Sequence, residues 1–166
     1  VKFFLVDLDY ILEEDKPVVR LWGKTNLGES IVVFDRGFRP YFYVEHKELG
    51  EGEQAELKKK LENHEIEGRR PEKVEETERK ILGKPKRLFK ITLTIPTDIP
   101  RFRETIKEWS GIKETYEYAI SFARRYLVDK KFIPLSWLEV IGLKVNTNLD
   151  VGIAYEADEL GATEDE

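Results

Sequence analysis

Two aspartates, Asp7 and Asp9, lie two residues apart in an apolar run and would point to one side of a strand formed there. Carboxylates so paired can share a divalent cation, as in nucleases and phosphoryl-transfer enzymes. No second carboxylate pair and no phosphate-cradling glycine loop accompanies them, so they read as solvated acids at a strand edge. His46 and His64 stand in polar settings without ligand spacing, and neither a Ser-His-Asp nor a Cys-His set can be assembled. The residues predict no catalytic centre in this chain, and no metal or other cofactor.

Two further sets could bind rather than react. Tyr10, Pro40, Tyr41, Ile99, Ile120 and Phe122 are aromatic or apolar. They would suit an ordinary core, or a shallow pocket in which the tyrosine hydroxyls act as polar handles. The basic residues Arg69, Arg70, Lys84, Lys86, Arg87, Arg124, Arg125, Lys130 and Lys131 form the second set, and each cluster taken alone reads as solvated surface.

The elements that would position these residues follow from periodicity. VKFFLVDLDYIL opens as a strand, Lys16-Pro17 marks a turn into VVRLWGKT, and Asn26-Leu27-Gly28 turns into ESIVVFDR. Together they predict an antiparallel β meander over residues 1–40. After Gly37 and Pro40, YFYV at 41–44 is a strand, and Glu51–Asn63 is a charged helix with Leu57 and Leu61 four apart. Residues 66–82 form a charged strand or loop, and Gly83-Lys84-Pro85 turns into the strand RLFKITLTI. A second helix begins near Thr97, with Asp98 in its first turn, Pro100 early, and Ile99, Phe102, Ile106 and Trp109 on one face. IKETYEY closes the sheet, and a short helix follows in which Phe122 and Tyr126 are four apart. From residue 41 the order is strand, helix, strand, strand, helix, strand, which predicts an α+β chain with a split βαβ core of the ferredoxin or RNA-recognition kind over 41–130. Residues 136–166 are an extension, with one further strand within 132–153 and a disordered acidic tail.

Composition sets the surroundings. The 166 residues are 37% charged and 40% hydrophobic, with no run long enough to cross a membrane as a helix. There is no cysteine, which excludes disulfides and thiolate metal sites and fits a reducing cytoplasm. No methionine is present, initiator included, which points to a piece of a longer chain. The net charge of −5 belongs to the end of the chain, since residues 156–166 hold six of the acids. Without them 28 basic residues face 27 acidic ones, a net of +1. A nearly neutral body confines any nucleic-acid site to a local patch.

Four segments resemble, in the same order, the N-terminal domain of archaeal family B DNA polymerases. They are DLDYI at 7–11, DRGFRPYFY at 35–43, IPTDIPRFRETIKE at 95–108 and EYAISFARRYLVDK at 117–130. The resemblance covers residues 1–135 and implies a domain that binds single-stranded template DNA and captures uracil ahead of synthesis, stalling replication before a mutation is fixed. By motif, the uracil pocket would comprise Tyr10, Pro40, Tyr41, Pro96, Asp98, Ile99, Ile120 and Phe122, with Arg125 and Arg124 at a phosphate. Backbone groups would pair with uracil O4, N3–H and O2, and cytosine would leave a buried group unpaired at about 1–3 kcal/mol. A ring at Tyr10 or Tyr41 would refuse the thymine methyl.

The resemblance also carries departures. Ser121 stands where the family often has proline, Ala119 where it has an acid, Thr97 where glutamine is common and Ile99 where valine is usual. Serine for proline implies a looser pocket lip. The family's apolar-Asp-x-Glu exonuclease strand is missing, since Asp158-Glu159 lies in an acidic stretch, and the polymerase fingers and palm are missing too. The expected partners are single-stranded template DNA and the exonuclease and polymerase domains of a parent DNA-directed DNA polymerase, a nucleotidyltransferase. The chain itself would be a cytoplasmic monomer without a membrane contact. An RNA-binding, single-stranded-DNA-binding or scaffold module on the same split βαβ core, without base sensing, is the rival reading.

Overall fold

Nine strands and three helices form the described residues, 1–164, of a computed structural model. Strands β1 (Lys2–Glu13), β2 (Lys16–Thr25), β3 (Ser30–Arg36) and β4 (Tyr41–His46) precede α1 (Glu51–Glu62). Then come β5 (Lys73–Ile81), β6 (Lys84–Thr92), α2 (Asp98–Ile106), β7 (Ile112–Tyr116), α3 (Phe122–Lys130), β8 (Trp137–Val145) and β9 (Ile153–Ala162). They group into two compact units. The first takes Val1–Phe38 and the chain from Ser121 onward, and the second is Arg39–Ile120.

The first unit is a closed barrel in the order β1-β2-β3-β9-β8. β1, β2 and β3 form the predicted antiparallel meander, but the first turn is Glu14-Asp15 rather than Lys16-Pro17. Both turn residues have positive φ, 50° and 62°, which matches the twist a two-residue hairpin needs and pairs Lys16 and Pro17 with Glu13 and Leu12. β9 closes the barrel, running parallel to β3 from Ile31↔Ile153 to Phe34↔Glu156 and antiparallel to β8. Phe3, Leu5, Val19, Leu21, Ile31, Val33, Leu138 and Val140 fill the interior, together with Phe122 and Tyr126 of α3 and Phe132.

β9 corrects the expectation of a disordered acidic tail. Ile153, Tyr155, Ala157 and Leu160 pack on the barrel core, and Ala154 is buried among Val18, Val32 and Phe34. Counting acids concealed this. The hydrogen bonds of a strand come from its backbone, and the intervening carboxylates can face water or a partner. Arg36 supplies one partner, with Nε and Nη2 donating to both oxygens of Glu156 at 2.9 and 2.8 Å and Nη1 donating to Glu13 at 2.6 Å. Asp165 and Glu166, also assigned to the tail, lie outside the described residues. Residues 137–162, set aside by the sequence as mostly extension, thus share one sheet with residues 2–36.

At Gly142 the β8–β9 ladder shifts register and the backbones come very close. A Cβ there would lie 1.9 Å from the Glu156 carbonyl oxygen, so only glycine fits.

The second unit is a four-stranded antiparallel sheet in the order β5-β6-β4-β7, with α1 and α2 on one face. Its core joins Phe42, Val44, Phe89 and Ile91 of the sheet to Leu57 and Leu61 of α1 and to Ile99, Phe102 and Ile106 of α2. The apolar stripes read from the sequence are these buried faces. Residues 66–82, ambiguous in sequence, resolve into β5 and a hairpin turn through Leu82-Gly83, both at positive φ. β7 ends at Tyr116, one residue before Glu117 takes a φ of 61°.

Candidate functional site

The carboxylate pair on β1 is not a free cation site. Antiparallel pairing sets Asp9 opposite Arg20, whose Nε and Nη2 donate to its two oxygens at 2.8 and 2.6 Å. Trp22 Nε1 adds a third donor at 3.1 Å. Burial raises the Asp9 pKa, but the bonds from Arg20 and Trp22 outweigh it and hold the carboxyl below its ordinary value. Asp7 accepts from the Leu8 backbone N–H at 2.8 Å. Among the described residues no group of three or more His, Cys, Asp or Glu could hold a metal.

In the first unit the aromatic residues converge on α3. Tyr10 of β1 meets Phe122 edge to face at 4.8 Å and 72°, and Phe38 touches both Phe122 at 5.4 Å and Tyr126 at 5.2 Å. The four-residue spacing of Phe122 and Tyr126 puts both rings on the helix face that the barrel buries. Tyr126 is fully buried, and its hydroxyl donates to Asp35 of β3. Burial first, and then the adjacent Asp35 carboxylate, push the Tyr126 pKa well above the usual phenol value. Ser121, the expected weak point, caps α3, and its hydroxyl accepts from the Arg124 backbone N–H at 3.3 Å. Of the two arginines assigned to phosphate, Arg124 is exposed and Arg125 is buried, only 6% of its surface being accessible.

In the second unit Pro40 and Tyr41 lead into β4. The Pro40 carbonyl accepts from Leu93 N–H at 2.9 Å, and Tyr41 pairs with Thr92. That register sets Tyr41 and Tyr43 beside β6, where Lys90 Nζ lies 4.1 Å over the Tyr41 ring. Tyr41 also meets Tyr43 edge to face at 5.7 Å, and the Tyr43 hydroxyl accepts from Arg79. Four residues beyond Thr92, Pro96 is half-buried, and its carbonyl accepts the Ile99 N–H at 3.2 Å.

Asp98 and Ile99 turn inward. Ile99 belongs to the core, and Asp98 is 3% exposed with both oxygens taken by Arg69 Nε and Nη2 at 2.9 Å each. The Asp98 bond is the largest cause of the raised Arg69 pKa. Tyr41 and Pro96 are half-buried, and Ile120 is exposed. These three are the unit's assigned residues with surface left to offer a ligand.

The partners Arg20, Arg69, Arg79, Lys90 and Phe38 went unnoticed in the sequence as neighbours of these groups. Only strand register and helix position bring them close, and no local pattern encodes either.

The basic residues are distributed unevenly. Lys86 and Lys113 lie 3.4 and 3.6 Å from one oxygen of Glu45, Lys130 lies 3.9 Å from Asp35, and Arg70 pairs with Glu65 at 3.1 Å. Arg87 is exposed on β6.

Most of the chain is homologous to DNA polymerases. It is 39% identical over 132 residues to the DNA polymerase of Thermococcus sp. (strain GE8), a match covering 79% of this chain and 8% of that protein. It is 35% identical over 158 residues to DNA polymerase 1 of Pyrococcus abyssi, covering 95% of this chain and 20% of that protein. The solved family B DNA polymerase from the hyperthermophilic archaeon Pyrobaculum calidifontis superposes with a TM-score of 0.81 at 27% identity, over 99% of this chain and 21% of the other. No family model matches the chain. The chain is a homologue of the N-terminal region of archaeal family B DNA polymerases. It spans a fifth or less of the length of these curated relatives. No helix among the described residues is long and apolar enough to cross a membrane.

Proposed function

We propose that the chain is a template-binding domain of a DNA-directed DNA polymerase that engages single-stranded DNA and senses uracil, holding the template back from synthesis. Homology to DNA polymerases over 79–95% of the chain carries this reading. Tyr41 is the side chain on which a base would stack. Its ring is half-buried, fixed by Tyr43 and Lys90, and backed by the carbonyl bond of Pro40. Stacking on one such ring contributes about 1–3 kcal/mol per base. Pro96 and Ile120 are the further accessible residues of this unit, while Asp98 and Ile99 support them by fixing the first turn of α2 on the core. In the other unit, Arg124 is the exposed cation for a backbone phosphate.

The order β5-β6-β4-β7, with helices following β4 and β6, supports reading the second unit as a split βαβ core. A domain that binds without catalysing, in a cytoplasmic parent polymerase, completes the proposal.

Fluorescence anisotropy with two labelled oligonucleotides, alike except for one uracil or thymine, tests it at fixed moderate salt. Tighter binding of the uracil strand, weakened by Tyr41→Ala, is the expected result. Equal binding of both strands, falling steeply with salt, would reduce the role to phosphate tracking. No binding to either strand would overturn it.

A further inference from the structure

We infer that the second unit carries an anion site for adjacent phosphate groups at the sheet edge where β4 ends and β6 and β7 begin. The inference does not rest on uracil sensing. Because β4 runs antiparallel to both neighbours, Glu45 pairs with Leu88 of β6 and Glu114 of β7, and His46 with Ile112, so Lys86 and Arg87 of β6 and Lys113 of β7 come to the same end of the sheet. A cleft of about 370 Å³ opens there, within the size range of small-ligand sites. Its charged lining is Lys47, Lys86, Arg87 and Lys113 against Glu45 and Glu48, a surplus of two positive charges.

The geometry of that surplus is the decisive feature. Glu45 is only 6% exposed, and its Oε1 accepts from the Tyr116 hydroxyl at 2.7 Å. Both Lys86 Nζ and Lys113 Nζ sit against its Oε2, at 3.4 and 3.6 Å. One buried carboxylate thus gathers two ammonium groups while neutralising only one. Arg87 and Lys47 make no ion pair within 4.0 Å among the described residues, and Arg87 stands across the strand from Glu78. His46 Nδ1 lies 2.8 Å from the Lys47 carbonyl, to which it donates.

A lysine pair fixed by a shared carboxylate, with a guanidinium able to bind two oxygens at once, is suited to a chain of phosphates. A free polyphosphate or nucleotide tail, or the backbone of a nucleic-acid strand, would present that chemistry.

The test titrates the full chain with inorganic tripolyphosphate and, separately, with a twelve-residue oligothymidylate at physiological salt, followed by amide chemical shifts. Shifts confined to residues 45–49, 54, 86, 87 and 113 with tripolyphosphate are expected. Arg87→Ala with Lys113→Ala should weaken binding at least about tenfold, whereas Lys24→Ala with Lys144→Ala, equal in charge and outside the cleft, should not. Because Lys113 also touches Glu45, Arg87→Ala alone, which breaks no ion pair, must weaken binding too. Shifts at the same amides with the oligonucleotide only would keep the phosphate site and make the strand its source. Absence of these shifts with both probes, or equal weakening by both double variants, would overturn the inference. Uracil discrimination can fail in the anisotropy experiment without changing any of these outcomes.

Discussion

Tyr126→Phe removes one oxygen atom from the buried face of α3 and nothing else. The ring keeps its contacts with Phe38 at 5.2 Å and Phe132 at 6.0 Å, so no cavity of note opens. What is lost is the hydroxyl's bond to Asp35, a carboxylate that also lies 3.9 Å from Lys130 Nζ. A hydrogen bond to a charged group contributes about 1.5–3 kcal/mol. For a chain of this length each kcal/mol lowers Tm by about 2–4 °C, so the variant should melt about 3–12 °C lower at pH 7.

The pH dependence gives a second, independent check. The folded-state pKa of Tyr126 is raised above its unfolded value near 10 by burial and by Asp35. Its contribution is therefore fully present below pH 10 and is lost as pH rises towards the folded pKa. Differential scanning calorimetry of parent and variant should show a constant Tm gap from pH 7 to 9 that narrows above about pH 10. A gap under about 1 °C at pH 7 would refute the assignment of stability to this bond. A gap that does not narrow in alkali would refute the linkage.

Two further outcomes follow from close contacts in each unit. Gly142→Ala should cost at least about 2 kcal/mol in a chemical-denaturation experiment, because the new methyl would meet the Glu156 carbonyl at 1.9 Å. Gly161→Ala, with nothing within 4 Å of the added carbon, is the control and should be close to neutral. Tyr116→Phe removes the bond to Glu45, which is the main cause of a Tyr116 pKa pushed up to about 12. The parent's advantage over this variant in thermal melts should hold below pH 10 and vanish as pH rises through about 12, and an advantage that grows in alkali would contradict it.

Much of the local structure was legible in the chain. The β-branched and aromatic residues of VKFFLVDLDYIL and ESIVVFDR specified β1 and β3, and the spacing of Ile99, Phe102 and Ile106 specified the buried face of α2. These are short-range patterns, in which a residue's neighbours fix whether it faces a core. The four ordered segments also carried the family, because they preserve residue identities rather than contacts. β9 was the main structural miss. Its acids suggested disorder, yet it pairs with β3, more than a hundred residues earlier, and no local signal encodes that parallel ladder.

The candidate site divided in the same way. Residue types identified Tyr41 and Phe122 as aromatic surfaces, and the i, i+4 spacing put Phe122 beside Tyr126 on α3. Whether a charged side chain was available depended on partners brought in from elsewhere. Asp9 is held by Arg20 through hairpin register, Asp98 is taken up by Arg69 from a loop 29 residues away, and Arg125 is buried although Arg124 beside it is not. The sequence by itself determined the elements, their apolar faces and the family, since propensity and periodicity are properties of neighbouring residues. Tertiary structure alone decided barrel closure and which charges remain accessible, since both depend on contacts whose partners lie far apart in the chain.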